Sequence, residues 1–364
     1  MASTPIFTPD DYTIALICPM PLEQAPVEAM LDEIHPDLPV TTLDKNSYTF
    51  GRITNHNVVI AGMPKIGNSS AASVATQVLN DFRRLRFSLL IGIGGGIPNL
   101  SHGVDIRLGD VVVSKPQGIF GGVVQFRQGK VLSRGRFERT GALRSPPDIL
   151  LATMGRMEAL HRRVDSAIPR LLGHMVQRFP KMVAGGYVYQ GVENDQLFRA
   201  EYEHAEWRRN CEGCDLEAVI RRGDRIHSNP VIHYGTIGSS DVVVKDGQLR
   251  DMLRDDLGIY CVEMEAAGLL DSFPCLVIRG ICDYADSHKN DRWQPYAAAA
   301  AAAYAKELLS YVPVLNDPQH DRPQRGHTVL SVRSVRNLVN GSVAGDVVGG
   351  DKVTGDKVWQ EWRN

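Results

Sequence analysis

A chain of 364 residues, 43% hydrophobic and 23% charged, has the make-up of a soluble globular protein with material for one large domain and smaller extras. Its formal net charge of -2 gives no electrostatic reason to expect nucleic acid or an anionic membrane as partner. No apolar stretch approaches the roughly 20 residues that span a bilayer, the opening MASTPIFTPDDY lacks the basic-then-apolar order of a secretion signal, and six scattered cysteines suit a reducing, cytoplasmic setting rather than a disulfide framework.

Residues 1–12 read as a flexible N-terminus, with order beginning near Asp11. Tyr12 to Cys18 is rich in β-branched and apolar residues and predicts a first strand. Pro19 and Pro21 break it, and Leu22 to Leu31 predicts a helix with Glu23 in its first turn, where a carboxylate complements the helix dipole. Ser47 to Arg52 and Val58 to Gly62, separated by Asn55-His56-Asn57, predict a hairpin. After Pro64-Lys65-Ile66-Gly67-Asn68, the register Ala71, Val74, Ala75, Val78 and Leu79 predicts a second helix. Phe87 to Ile91 predicts a buried strand running into Gly92-Ile93-Gly94-Gly95-Gly96, where glycines permit close backbone approach to a phosphate or a sugar. The run does not fit G-x-G-x-x-G where a dinucleotide site needs it, and no Lys-Ser/Thr makes a P-loop.

Gly109 to Ser114 predicts another strand, and the glycine-rich Gly118 to Lys130 carries Arg127 and Lys130, either ordinary loop charges or contacts to a nucleotide's phosphates. Ser145 to Lys181 is mainly helical, with Leu150, Leu151, Met154, Met157 and Leu160 at helical spacing. Residues 191 to 235 are polar, irregular and rich in Arg, like an insertion or lid. Cys211-x-x-Cys214 lies there with His204 nearby, but two thiols and one histidine fall short of a structural zinc site's four ligands, so no metal is expected. Strand and turn character returns at Gly235 to Val244.

The chemically richest stretch is Cys261 to Asp286, CVEMEAAGLLDSFPCLVIRGICDYAD. Glu263 and Glu265 bracket Met264; then the apolar run Cys275 to Ile278 suits a buried strand of an α/β sheet, carrying Arg279 and ending on Asp283. The carboxyl ends of such strands are where open α/β sheets keep their ligand sites. Three acids and an arginine converging on one mouth make an arrangement for chemistry, although acids at strand ends also cap helices, and residue types alone leave both readings open. Ala297 to Leu309 is an alanine-rich helix that closes the domain near Pro313. Residues 313–330 read as a polar, proline-containing linker. In the tail, residues 331–364, Val343, Val348, Val353 and Val358 recur every five residues beside Gly345-Asp346, Gly350-Asp351 and Gly355-Asp356. That beat suits either β-arcs stacked between chains, a homotypic tail-tail assembly, or a disordered segment.

The motifs G-I-G-G-G, L-G-D-V-V-V-S, G-T-I-G-S-S-D, V-E-M-E-A and I-R-G-I-C-D, in this order, resemble those of the nucleoside phosphorylase/nucleosidase superfamily over residues 13–312. The chain is most similar to its methylthioadenosine/adenosylhomocysteine nucleosidase branch. G-G-V-V-Q, H-Y-G-T-I and R-G-I-C-D-Y-A-D-S-H-K-N resemble the fungal versions found as effector modules of immune-receptor-like proteins. The tail's repeat is similar to the amyloid-signalling motifs attached to fungal effector domains. The resemblance implies a single α/β catalytic domain with a mixed central sheet flanked by helices, a homo-oligomer, no cofactor, and release of the base from a purine nucleoside or nucleotide, adenosine or ATP among them. It gives Glu23 the role of general base on the attacking water and Arg279 that of holding the water. Met264 packs beneath the ribose, Glu265 binds its hydroxyls with Glu263 beside it, and Asp283 hydrogen-bonds purine N7 and delivers a proton there. Gly94, Gly95, Ser240, Asp241 and Val243 complete the implied substrate contacts.

These residue types suit the reaction. Breaking an N-glycosidic bond puts positive charge on the ribose and negative charge on the departing base, and carboxyl groups at the two ends stabilise both. For Asp283 to hold a proton near neutral pH, burial or a like charge must favour its neutral form. Departures from the pattern shape the expectation. Gly94 stands where superfamily phosphorylases carry phosphate-binding residues, which favours water over phosphate as nucleophile, with a phosphorylase as the alternative. Val243-Val244 replace the aromatic that stacks on the base, and residues 191 to 235 suit a substrate larger than a thioether nucleoside, for whose 5′ side Lys65, Arg127, Lys130 and Lys289 are candidates. A catalytically silent sensor or scaffold of the same fold is the reading from a different class.

Overall fold

The computed structural model describes residues 7–39, 46–133, 137–205, 211 and 213–314. The expected repeat tail and all of the linker after residue 314 lie outside the described residues.

β1 (Ile14–Cys18) is fully buried and runs into α1 (Pro21–Ala29), which starts with proline at its first position, where the missing N–H is not needed. β2 (Glu33–Ile34), β3 (Tyr48–Ile53) and β4 (His56–Gly62) follow, β3 and β4 forming the expected hairpin. Then come α2 (Asn68–Asp81), β5 (Phe87–Gly96), β6 (Val111–Ser114), β7 (Val123–Gln125), β8 (Gly129–Val131) and β9 (Phe137–Arg139). The helical region divides into α3 (Asp148–His161), α4 (Ile168–Arg178) and α5 (Lys181–Ala184). Beyond it are β10 (Ile232–Ser239), α6 (Gly247–Leu257), β11 (Ile259–Glu263), α7 (Ala266–Leu270), β12 (Cys275–Asp283) and α8 (Gln294–Tyr311).

Among the described residues the main sheet has the order β11-β10-β6-β12-β5-β1-β4-β3-β2, with β7 added beside β10. It is mixed. β5 lies parallel to β1 and β12, whereas β12 and β6 are antiparallel. β11 also returns to pair with the end of β5, Cys261 opposite Gly96 and Val262 opposite Gly95, so β5, β12, β6, β10 and β11 close into a ring. Side chains alternate across the sheet with period two. Leu16, Ile60, Leu89 and Ile278 face α1, α3, α4 and α8, and Ile17, Val59, Leu90 and Val277 face α2 and α7. With both faces covered, the central strands are continuously apolar.

Two expectations need correction. The strand predicted over Phe87 to Ile91 does not end there: β5 continues through Gly96, because β12 and β11 supply partners to its last residues. The described part of residues 191–235 is not a loose lid, because its arginines find acids, with the Asp110 and Asp195 side chains buried and Asp105 partly exposed. Arg225 binds Asp110 at 2.6 Å, His233 contacts the same carboxylate at 2.9 Å, and Arg222 binds Asp195 at 3.0 Å and Asp105 at 3.3 Å. α8 is the central helix of its layer, touching β12 and β5 as well as α1, α3 and α4. Its residues Ala297 to Ala303 are each 2% exposed or less, and a methyl group at Gly280 of β12 would lie 1.8 Å from the Ala297 carbonyl oxygen.

Candidate active site

β1, β5, β11 and β12 end around one cleft of about 190 Å³. Glu23 reaches it from the first turn of α1, where the reading as a helix-end carboxylate holds. Its Oε2 accepts the Met20 N–H at 2.7 Å and so caps the helix, while its Oε1 accepts the Ile93 N–H of β5 at 2.8 Å. Arg279 of β12 lies beneath, 1% exposed. Its Nη2 binds Glu263 in a short contact and Glu265 Oε2 at 3.0 Å, its Nη1 donates to the Ile93 carbonyl at 3.2 Å, and Glu23 Oε1 stands 4.0 Å from Nη1. Glu263 also accepts the N–H groups of Glu265 and Ala266, and Glu265 Oε1 accepts the Gly67 N–H at 3.2 Å.

Three carboxylates therefore share one guanidinium. Glu263 and Glu265 hold it directly, which leaves Glu23 with the weakest cationic contact. Burial chiefly, with the Glu265 charge adding to it, pushes the Glu23 carboxyl up to about 8, although Arg279 and the two N–H donors oppose the shift. Burial and the Glu263 charge raise Glu265 as well, against the pull of Arg279. Burial works against the Arg279 charge, yet its three acids hold that pKa above the ordinary arginine value.

Asp283 stands at the other end of the wall. Its Oδ1 accepts the Ala285 N–H at 2.9 Å, and its Oδ2 takes a short contact from the Lys289 ammonium and the Cys282 thiol at 3.0 Å. The carboxyl is buried as the sequence requires, but the charge facing Oδ2 is a cation rather than a second acid. A second cavity of about 440 Å³ shares Cys282 and Asp283 with the cleft.

The glycines of β5 make room for these groups. A methyl at Gly92 would lie 2.4 Å from Arg279 Nη1 and 2.6 Å from Glu23 Oε1, and one at Gly95 would lie 2.8 Å from Asp283 Oδ1. Gly92 and Gly95 are three residues apart, about 10 Å of strand, so β5 runs from one carboxyl group to the other.

Glu23, Arg279, Glu263, Glu265, Asp283, Met264, Gly94, Gly95 and Val243 all line the cleft. Val243 is 44% exposed at its mouth. Ser240 and Asp241 are not among the lining residues: the Ser240 hydroxyl accepts the Val242 N–H at 3.3 Å, and Asp241 accepts the Asn68 N–H at 2.8 Å at the start of α2. Of the four candidate cations only Lys289 borders the cleft, while Lys65, Arg127 and Lys130 are exposed away from it. The sequence reading missed Gly92 and the Ile93 peptide group, whose N–H holds Glu23 while its carbonyl holds Arg279; the glycine run marked the place but not this use. It also missed Gln294, for which one glutamine before an alanine helix gave no signal. No His lines the cleft, and the group of described residues with metal-ligand spacing lies outside it.

No protein-family model matches the chain. The chain is 41% identical over 322 residues to a nucleotide-binding leucine-rich repeat (NLR)-like protein of Hyaloscypha variabilis, covering 88% of this chain and 31% of that one. It is 24% identical over 260 residues to the ATP nucleosidase Cap17 of Escherichia coli, covering 70% of this chain and 41% of that one. The chain thus spans less than half the length of either relative. In fold it is similar to the 5′-methylthioadenosine/S-adenosylhomocysteine nucleosidase of Helicobacter pylori, with a TM-score of 0.53 at 15% identity over 82% of this chain and 98% of that one.

Proposed function

Since the chain belongs to the nucleoside phosphorylase/nucleosidase superfamily, we propose that it is a purine N-ribohydrolase that cleaves the N-glycosidic bond of an adenine nucleoside or nucleotide and releases the base. The observation that carries this reading is that both cations on the cleft wall are already matched by carboxylates, Arg279 by Glu263 and Glu265, and Lys289 by Asp283. An incoming phosphate would have to displace these partners, whereas a water needs only the carboxylate of Glu23. Glu23 takes a proton from the water as it attacks C1′, Glu265 stabilises the positive charge through the ribose hydroxyls, and Asp283 protonates N7 so that adenine leaves neutral. Met264 packs under the sugar, and Val243 and Val244 offer an aliphatic wall to the base. Lys289 leaves Asp283 beside a proton donor as well as a countercharge.

Adenine as the base is favoured by the relatives, since an ATP nucleosidase and a methylthioadenosine nucleosidase both act on adenine-bearing substrates by name. The NLR-like relative, with the motif resemblance, supports the further proposal that the chain is the effector part of an immune-receptor-like protein; a cytoplasmic homo-oligomer is proposed with it. The test is free adenine, followed by chromatography, from ATP, adenosine and methylthioadenosine with and without inorganic phosphate. Phosphate-independent release is expected. Release only with phosphate would make the protein a phosphorylase, and no release from any of the three would overturn the reading.

A further inference from the structure

We propose that His204, Cys211 and Cys214 bind a zinc ion beside the larger cavity, with His288 as the fourth ligand. One donor atom from each of the first three residues lies within 4.8 Å of the others, and both cysteines are free thiols. The Cys214 N–H donates to the Cys211 carbonyl at 3.0 Å, a tight turn that brings both sulfurs to one side, as C-x-x-C zinc sites require. Three ligands would leave the ion open; the His288 nitrogens do not lie within 4.8 Å of all three donors, so the His288 ring would have to shift towards them to become the fourth. The His288 ring is 6% exposed, lies 5.3 Å from the His204 ring and at right angles to it, and its carbonyl is 3.7 Å from Cys211 Sγ.

Among the described residues neither ring nitrogen of His288 has a hydrogen-bond partner; Asp286 is 3.7 Å from Nδ1. An imidazole buried with both nitrogens unsatisfied is costly, and a metal on one of them removes part of that cost. Phe198 and Tyr202 stack on the ring at 3.8 and 5.2 Å and fix its plane. The His204 N–H donates to the Ser287 hydroxyl at 2.9 Å, so the two segments carrying the histidines are already joined by a backbone-to-side-chain hydrogen bond. Two thiolates and two neutral imidazoles suit Zn²⁺ in a closed tetrahedral site, and binding converts two thiols to thiolates with release of two protons. The ion would tie His204, Cys211 and Cys214 to the loop carrying Asp286, His288 and Lys289. Cys211 and His288 line the same cavity as Asp283, so the site would brace the wall that carries the acid without touching the reaction.

The test is the metal content of the full chain purified in zinc-replete, chelator-free medium, by mass spectrometry of the elements. One zinc per chain is expected, lost in Cys211→Ser/Cys214→Ser and bound at least about tenfold more weakly in His288→Gln. Cobalt substituted for zinc should give the intense visible bands of tetrahedral coordination and thiolate charge transfer. A zinc-free, folded wild type, an octahedral cobalt spectrum, or full zinc retention by the double variant would overturn the site. A mass loss of two hydrogens without metal would overturn it in favour of a disulfide. Should the double variant not fold, His204→Gln with its reduced zinc content takes its place, and undiminished affinity in His288→Gln would remove the fourth ligand.

Discussion

Replacing Glu23 with Gln separates the role proposed for this carboxyl, activating water, from the one it is seen to play, holding α1 to β5. Gln keeps the shape, but its amide has one oxygen for two backbone donors, the Met20 and Ile93 N–H groups at 2.7 and 2.8 Å, so one is left unmatched at a cost of roughly 1–3 kcal/mol. Charge works the other way. The Glu23 carboxyl is pushed from an ordinary 4.5 to about 8 in the fold. Because the folded value is the higher one, its contribution to stability is complete below the unfolded value and is lost as pH rises through the folded one. Between about pH 6 and about pH 8 that loss is about 2 kcal/mol, and Glu23→Gln escapes it. Urea unfolding should therefore find the variant less stable than wild type at the lower pH and close to it, or above it, at the higher. In adenine release, wild-type kcat should climb with pH as Glu23 ionises, with an apparent pKa near 8. Glu23→Gln should lower kcat by about 10²–10⁴-fold and abolish that limb. A kcat within threefold of wild type, or a stability difference identical at the two pH values, would refute the assignment.

Asp283→Asn should abolish adenine release while the circular dichroism spectrum and the unfolding midpoint stay near wild type; unchanged turnover would remove its acid role. Lys289→Met removes the ammonium that contacts Asp283 on the cleft wall, so kcat for adenine release should fall by at least about tenfold as the carboxyl loses its position, and an unchanged kcat would show that the ion pair does not position the acid. Gly92→Ala places a methyl 2.4 Å from Arg279 and 2.6 Å from Glu23. It should cost about 1–3 kcal/mol in urea unfolding and at least about 10²-fold in kcat, since small displacements of positioned groups are expensive; an active, fully stable variant would show that these side chains have room to spare.

Much of the cleft was legible because its residues sit at ends of apolar runs. Arg279 and Asp283 close a strand whose neighbours are all buried, and Glu263, Met264 and Glu265 sit where β11 turns into α7. What stayed hidden depends on partners far apart in the chain. Glycines suggest a loop, and only the pairing of β5 with β11 and β12 shows why five residues with so little side chain remain a strand. The ring of five strands rests on that same pairing between residues more than a hundred positions apart. Lys289 follows Asp283 by six positions, yet nothing in that spacing tells an ion pair from a solvated loop charge. Ser240 and Asp241 illustrate the reverse error: a motif position in sequence became a loop contact and the start of α2 in space. The polar run 191 to 235 suggested a lid because the acids that hold its arginines come mostly from the loop before β6.

The alanine run of α8 looks like the most replaceable stretch of the chain, since single-residue repeats drift easily in length and composition. Its place between the sheet and three helices reverses that expectation. Each alanine from Ala297 to Ala303 already touches neighbours on whichever side it faces, so there is no outward position where a larger residue can settle harmlessly. One inserted or deleted alanine would rotate the remainder of the helix by about 100°. It would also carry the Ala297 carbonyl away from the space that Gly280 keeps open on the strand bearing Arg279 and Asp283. In a saturation library, then, this monotonous segment should tolerate fewer substitutions than the varied surface around it.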